Sequence, residues 1–303
     1  QNLPRALVVL YALAVIAGLV AVFRGVSGSP ARSAKGGSLA VVHIYGPIQT
    51  SNSASSWRSP DADAIAKRLY RLSEDDNVKA ILLRINSPGG TVAAVQEIHT
   101  EVLRCKGKGK KIVASLGDVA ASGGYYLAAS ADRVIADPGT ITGSIGVILQ
   151  FGNLEGLFQK FGVKLEVIKS GKHKDLGSPA RPLTPEERKL LQASIDDAYE
   201  QFVDAVAKGR KLPEEKVRPL ADGRIFTGRQ AKEQGLVDEL GNRQDAIQRA
   251  IELAGLPKKP RIVSDSKRSL QSLLQHLDAL WTGRGLGAVA EALPNPSMEY
   301  RWR

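Results

Sequence analysis

Cysteine is almost missing from this chain of 303 residues, which holds one, and histidine is scarce at four. With Cys105 alone no disulfide can close within the chain, and its place in a helical run reads as an inert thiol. No group of Cys and His has the spacing of a metal site, so no metal is expected. Neither Ser87–Thr91 nor Gly107–Lys111 has the G-x-x-x-x-G-K-[ST] spacing, which excludes a phosphate loop, and no cofactor is expected. A repeat of fixed period is also missing, which excludes a solenoid. Aromatic residues make up 5% and do not interleave with basic residues along a groove, so nucleic acid is not an expected partner. Yet 42 Lys and Arg face 31 Asp and Glu, a net charge of +11. That excess suits an anionic lipid surface.

One stretch lacks charge altogether. Ala6 to Phe23 runs unbroken between Arg5 and Arg24, and as a helix it would span about 27 Å, close to one hydrocarbon core. Residues 1–24 therefore read as a transmembrane anchor. A cleaved signal peptide fits less well, because the run exceeds a usual h-region and Val26-Ser27-Gly28-Ser29 is a poor cleavage site. Counting the flanking Arg and Lys would place the C-terminal side in the cytoplasm. Residues 25–37, rich in Gly, Ser and Ala, form a flexible linker, and the globular pattern begins at residue 38.

From there apolar strands alternate with helices. Leu39–Ile48, Ala80–Asn86, Lys111–Leu116 and Arg133–Ala136 read as buried strands, with helices over Asp61–Glu74 and from Thr91 to about Lys106. Continuous apolar strands between helices predict an α/β fold with a parallel-rich sheet covered on both faces, its active site at the carboxyl ends of the strands. Thr142–Ile148 reads as a short strand, Asn153–Phe161 as helix, Lys164–Ile168 as extended, and Ser170–Pro179 as a polar loop. Thr184-Pro185-Glu186-Glu187 opens a long helix to about Gly209 through a capping box with proline at the first position. Thr227–Gln234 and Asn242–Ala254 are two more helices. The tail, residues 264–303, carries an amphipathic stripe from Leu270 to Trp281, which suits docking on a protein better than insertion in lipid.

Ser122 sits where the strand run from Lys111 gives way to the helical run from Tyr125, so its hydroxyl lies at a strand-to-helix turn, where a nucleophile belongs. A glycine-assisted turn explains the same residues, and a nucleophile also needs oxyanion donors and a base. Gly89 and Gly90 follow a strand end, their amides free of ladder bonds, and with the amide of Gly123 they would face a carbonyl attacked by Ser122. The G-x-S-x-G elbow is not met, because position 120 is alanine. As base, His43 lies in a strand, His99 on a helix and His276 in the tail, which leaves His173 in the polar loop. Lys172 or Lys174 of that loop could serve if burial lowered the ordinary lysine pKa of about 10.4. A solvated basic loop accounts for both lysines equally well.

Ser87-Pro88-Gly89-Gly90, Ala121–Tyr126, Thr142–Gly146, Ser170–Asp175, Ala221–Arg224 and Thr227–Ala231, in that order, resemble bacterial signal peptide peptidase A in its short, single-domain form. The resemblance spans roughly residues 38–263. It implies a serine protease domain of Clp-protease/crotonase-like fold over that range, with Ser122 as nucleophile and Lys174 as general base in a Ser–Lys dyad. Ser144 would hold the lysine amine. The resemblance also implies a homo-oligomer without cofactor, anchored by its N-terminal helix as a single-pass protein of the bacterial inner membrane. Its catalytic domain would stand on the extracytoplasmic side, against the charge count, and its substrates would be cleaved signal peptides and other membrane-associated peptides. A crotonase-type acyl-CoA enzyme, a catalytically silent membrane scaffold and a peptidase of stomatin-like proteins are the competing readings.

Overall fold

The apolar run Ser38–Tyr45 forms strand β1, and its successive side chains leave to opposite layers. Ala40, Val42 and Ile44 enter one core, Leu39 and Val41 a second. The computed structural model describes residues 37–50, 61–264 and 299–301, all within the unit Gly36–Arg303. The anchor read at 1–24, the linker as far as residue 36, and the amphipathic stripe with His276 lie outside the described residues. Among the described residues no helix is long and apolar enough to cross a membrane.

Helix α1 (Ala62–Glu74) starts where the Asp61 carboxylate accepts the Asp63 N–H at 3.1 Å. Strand β2 (Val78–Ser87), the short β3 (Gly89–Thr91), helix α2 (Val92–Gly107), strand β4 (Lys111–Ala121), helix α3 (Gly123–Ala129) and strands β5 (Arg133–Ala136) and β6 (Ile141–Gly143) follow. Then come α4 (Glu155–Lys160), the long α5 (Pro185–Arg210), α6 (Glu214–Val217), β7 (Ile225–Thr227), α7 (Gly228–Glu233), β8 (Glu239–Leu240), α8 (Arg243–Leu253) and β9 (Arg261–Ser264). Strand β10 (Glu299–Arg301) comes from the tail.

The main sheet has the order β7-β6-β4-β2-β1-β9, with β5 and β8 attached beside β4. Every pairing in it is parallel except β6 with β7. Helices α1, α2, α3 and α5 close the larger core on one face, and α8 closes the smaller one with Ala246, Ile247, Ala250 and Ile251. Burying each of these Leu, Ile and Val side chains is worth about 1.5–3 kcal/mol, which explains why the strands read as unbroken apolar runs. The α/β class and the mostly parallel sheet are as expected.

Two strands end elsewhere than the sequence pattern predicts. β4 continues past Leu116 to Ala121, because Gly117 and Asp118 bulge out and let pairing resume. Ile85 of β2 faces Leu116, but Ser87 already faces Ala120. The Asn86 Oδ1 atom accepts the Val119 N–H at 3.0 Å across that bulge. The strand expected over Thr142–Ile148 stops at Gly143, since Ser144 turns to φ 50°. Lys164–Ile168 has no strand partner among the described residues, and its apolar side chains are exposed.

Helix α5 begins as expected. Thr184 Oγ1 accepts the Glu187 N–H at 3.2 Å, and Glu187 Oε2 accepts the Thr184 N–H at 2.9 Å. Near its other end, Gly209 lets α5 pass against α3, for a Cβ there would lie 2.3 Å from the Ala129 carbonyl oxygen. In an open helix Gly→Ala gains about 1 kcal/mol, but overpacking a closed contact costs about 1–3 kcal/mol. Gly209→Ala should therefore lower stability, and a urea midpoint equal to or above the parent's would show that the two helices are not in this contact.

Candidate active site

The long β4 and the short β6 meet at their carboxyl ends, where Ala121 pairs with Gly143 in parallel register. The next residue on each strand is a serine, and both serines are left-handed, Ser122 at φ 52° and Ser144 at φ 50°. Neighbouring strands lie about 4.8 Å apart, so the two serines stand side by side on the edge of the sheet. Ser122 N–H donates to the Gly143 carbonyl and Ser144 N–H to the Arg224 carbonyl, each at 2.8 Å. Both serines are buried, Ser122 at 1% exposure. Holding a non-glycine residue in such backbone costs about 1–3 kcal/mol, and it persists only where the surroundings fix it.

Beyond Ser122 the chain enters α3, whose first ladder bond runs from the Tyr126 N–H to the Ser122 carbonyl at 2.8 Å. The Gly123 amide precedes that ladder, and neither it nor the Ser122 hydroxyl has a hydrogen-bond partner among the described residues. The hydroxyl read as nucleophile and the amide read as oxyanion donor thus stand on consecutive residues of this turn. Gly124 packs the helix against β2, for a Cβ there would lie 2.9 Å from the Ser87 carbonyl oxygen.

The other two expected donors, Gly89 and Gly90, belong to β3 and are less free than predicted. The Gly89 N–H donates to Ser87 Oγ at 3.1 Å, and Ser87 Oγ in turn donates to the Gly46 carbonyl at 2.7 Å. Gly89 can serve an oxyanion only by sharing or leaving that bond. Gly90 admits no side chain, since a Cβ would fall 1.7 Å from the Ile48 carbonyl oxygen. On the opposite edge, β10 pairs antiparallel with β3, Glu299 facing Thr91, Tyr300 facing Gly90 and Arg301 facing Gly89. That edge accepts an extended chain. The part played by Ser87 is missed in the sequence, where it reads only as a strand end. Its contact with Gly46 spans two strands and leaves no local signal.

Among the described residues no base is hydrogen-bonded to the Ser122 hydroxyl. Lys174 stands exposed in the loop before α5, its amine without a hydrogen bond or ion pair among the described residues. The Lys172 amine pairs with Glu186, and His173 Nε2 lies 3.5 Å from Glu186 Oε1. His43 lies in β1, its pKa lowered by burial and by Arg243, Arg68 and Arg84. His99, on α2, stacks edge-on against Tyr126 at 4.9 Å between ring centroids, and burial brings its pKa down to about 4. Burial pushes the Cys105 thiol up to about 11 and its Sγ donates to the Leu69 carbonyl at 3.3 Å, as suits an inert thiol. Among the described residues no group of His, Cys, Asp and Glu is arranged to hold a metal.

The model of peptidase family S49 matches residues 104–257, a span holding Ser122, Ser144 and Lys174, and that of Clp protease matches residues 49–139. The chain belongs to peptidase family S49. This S49 chain is 54% identical over 217 residues to a provisionally named protease of Synechocystis sp., covering 69% of this chain and 78% of that one. It is 38% identical over 221 residues to Protease 4 of Salmonella typhi, covering 73% of this chain and 35% of that one. It is 37% identical over 237 residues to the chloroplastic Serine protease SPPA of Arabidopsis thaliana, covering 77% of this chain and 34% of that one. The S49 chain is thus a serine protease of the SppA type, as the resemblance implied, and the acyl-CoA reading is set aside.

Because the backbone at Ser122 is strained for any residue with a Cβ, Ser122→Gly should raise the unfolding free energy by about 1 kcal/mol while removing the hydroxyl. Ser122→Ala should leave the strain in place. Equal or lower stability for the glycine variant in urea would show that the turn carries no strain.

Proposed function

We propose that this S49 protein is a membrane-anchored, oligomeric serine endopeptidase that degrades signal-peptide remnants and other membrane-associated peptides through a Ser122–Lys174 dyad. The observation that carries this reading is the left-handed Ser122 with its unpartnered Gly123 amide, next to a strand edge already holding an extended chain. A peptide would bind along β3 as β10 does, presenting its carbonyl to Ser122. The neutral Lys174 amine takes the proton from Ser122 Oγ as that oxygen attacks the carbonyl carbon. The resulting oxyanion is held by the Gly123 amide together with Gly90 or Gly89. Lys174 then returns the proton to the leaving nitrogen as the peptide bond breaks, giving an ester on Ser122. Water, deprotonated by Lys174, attacks that ester and frees the enzyme.

The dyad also requires the exposed Lys174 to be covered, since a lysine works as a base near neutral pH only when shielded from water. Leu157, Phe161, Val163, Leu165, Val167 and Ile168, the exposed apolar stretch just before the lysine loop, supply a surface for such a cover. A second subunit is the occupant that fits the oligomer implied by the resemblance, and Ser144, beside Ser122, would receive the amine. The single-pass anchor at 1–24 and a catalytic domain outside the cytoplasm belong to the same reading. The expected active unit is therefore an oligomer, and light scattering that finds a fully active monomer would refute the shielding.

With Lys174 as base, Ser122→Ala and Lys174→Ala should each lower peptide hydrolysis by about 10²-fold or more in folded protein. Ser144→Ala should retain part of the activity, and Lys172→Ala nearly all of it. The rate should rise with pH along one limb below about 10.4 that survives His173→Ala. A limb near pH 6.5 that vanishes in His173→Ala would move the role to histidine. An inactive, folded Lys172→Ala beside an active Lys174→Ala would move it to Lys172.

A further inference from the structure

The loop around Lys174 is tied down on both sides of that residue by one pair of acids. On the N-terminal side Glu186 pairs with the Lys172 amine and lies near His173. On the C-terminal side the tie runs through Arg181. Its Nε donates to Asp175 Oδ2 at 3.0 Å and its Nη2 to Asp175 Oδ1 at 2.9 Å. The same guanidinium donates through Nη1 to Glu187 Oε2 at 2.8 Å and through Nη2 to Glu187 Oε1 at 2.6 Å. Lys169 adds a bond from its amine to Asp175 Oδ1 at 2.6 Å. Glu187, whose side chain is 3% exposed, is also the residue whose carboxylate accepts the Thr184 N–H in the cap of α5.

Both anchoring acids thus stand in the first turn of the longest helix, and between the two ties Lys174 is the residue whose side chain is left without a partner. A fork that grips two carboxylates at once, each through two N–H groups, fixes orientation as well as distance, and lysine cannot reproduce it. Bonds to Arg181 hold Asp175 well below the usual carboxylate range and bring Glu187 down to about 2, so both acids stay ionised wherever the enzyme works.

We propose that Arg181 is a positioning residue for catalysis: by clamping Asp175 to Glu187 it fixes the backbone next to Lys174 to the start of α5 and so aims the free amine. This rests on Lys174 being the base. A misdirected base loses catalytic power without losing substrate affinity, because the peptide is held by β3 and not by the loop.

The test compares the full-length oligomer in parent, Arg181→Lys, Asp175→Asn and Lys174→Ala forms, with folded chain measured by near-ultraviolet circular dichroism. Per folded chain, Arg181→Lys and Asp175→Asn should each lower kcat about tenfold or more, with KM within about twofold, and displace the ascending pH limb of kcat. Lys169→Ala, which leaves the fork intact, should change kcat little. If activity falls only in step with the folded fraction, leaving kcat per folded chain and the pH limb unchanged, Arg181 is merely structural and the proposal is overturned. Should either variant fail to fold, Glu187→Gln takes its place, since it keeps an acceptor for Thr184 and weakens only the arm to Arg181. The parallel variant separates the two ideas. A fully active Lys174→Ala would refute the dyad and the clamp together, whereas an inactive Lys174→Ala beside a normal Arg181→Lys would refute the clamp alone.

Discussion

The parallel pairing of Ala121 with Gly143 is the constraint on which the rest of the site depends. It ends two strands at the same level, and each then turns through a left-handed serine. Neither turn is stable alone. Ser122 is held by the Gly143 carbonyl and by the helix it starts, Ser144 by the Arg224 carbonyl. The pairing is possible only because β4 bulges at Gly117 and Asp118, which brings Ala120 back into register with Ser87. Strain at Ser122 is thereby balanced by ladder bonds and buried alanines several residues away, a division of labour common at reactive centres.

The two halves of the proposed chemistry rest on different physics. Ser122, Gly123 and β3 are placed by strand pairing and close backbone approach, with Gly90, Gly124 and Gly209 marking where a side chain would intrude. The lysine loop is placed by charge, through acids in the first turn of α5 and the basic residues that reach them. Packing of the first kind is insensitive to salt and pH over the usual range. Pairs of the second kind weaken as ions screen them, the exposed Lys172–Glu186 pair most and the half-buried Arg181 pairs less.

Much of the fold was legible in the chain because its signals are local. Apolar runs marked the strands, and Thr184 followed by Pro185 and Glu187 marked the start of α5 to the residue. Thr227, where the next helix was read to begin, likewise proved to cap it. Ser122 was legible as a turn between strand and helix. The length of β4 was not, since it is decided by pairing with β6 more than twenty residues away. The engagement of the Gly89 amide by Ser87 hid for a related reason: it takes a hydroxyl oriented by Gly46, just past the end of β1. Spacing could not choose between Lys172 and Lys174 either. In the fold they differ because Glu186 lies within reach of one amine and not of the other.

The edge of β3 has a consequence for what such an enzyme can accept. Two of its three residues are glycines, so a chain lying along it is gripped chiefly by its own amides and carbonyls. Those groups are already spent in a helix or a sheet, and within a bilayer a helix surrenders them only at heavy cost. Under the proposed function, selection at this edge would fall first on whether a stretch of polypeptide is unravelled and only afterwards on its letters. By the same reading a native protein would be passed over because it has no loose strand to lend, and a fragment held in a membrane would become a substrate only when its end frays into the water layer.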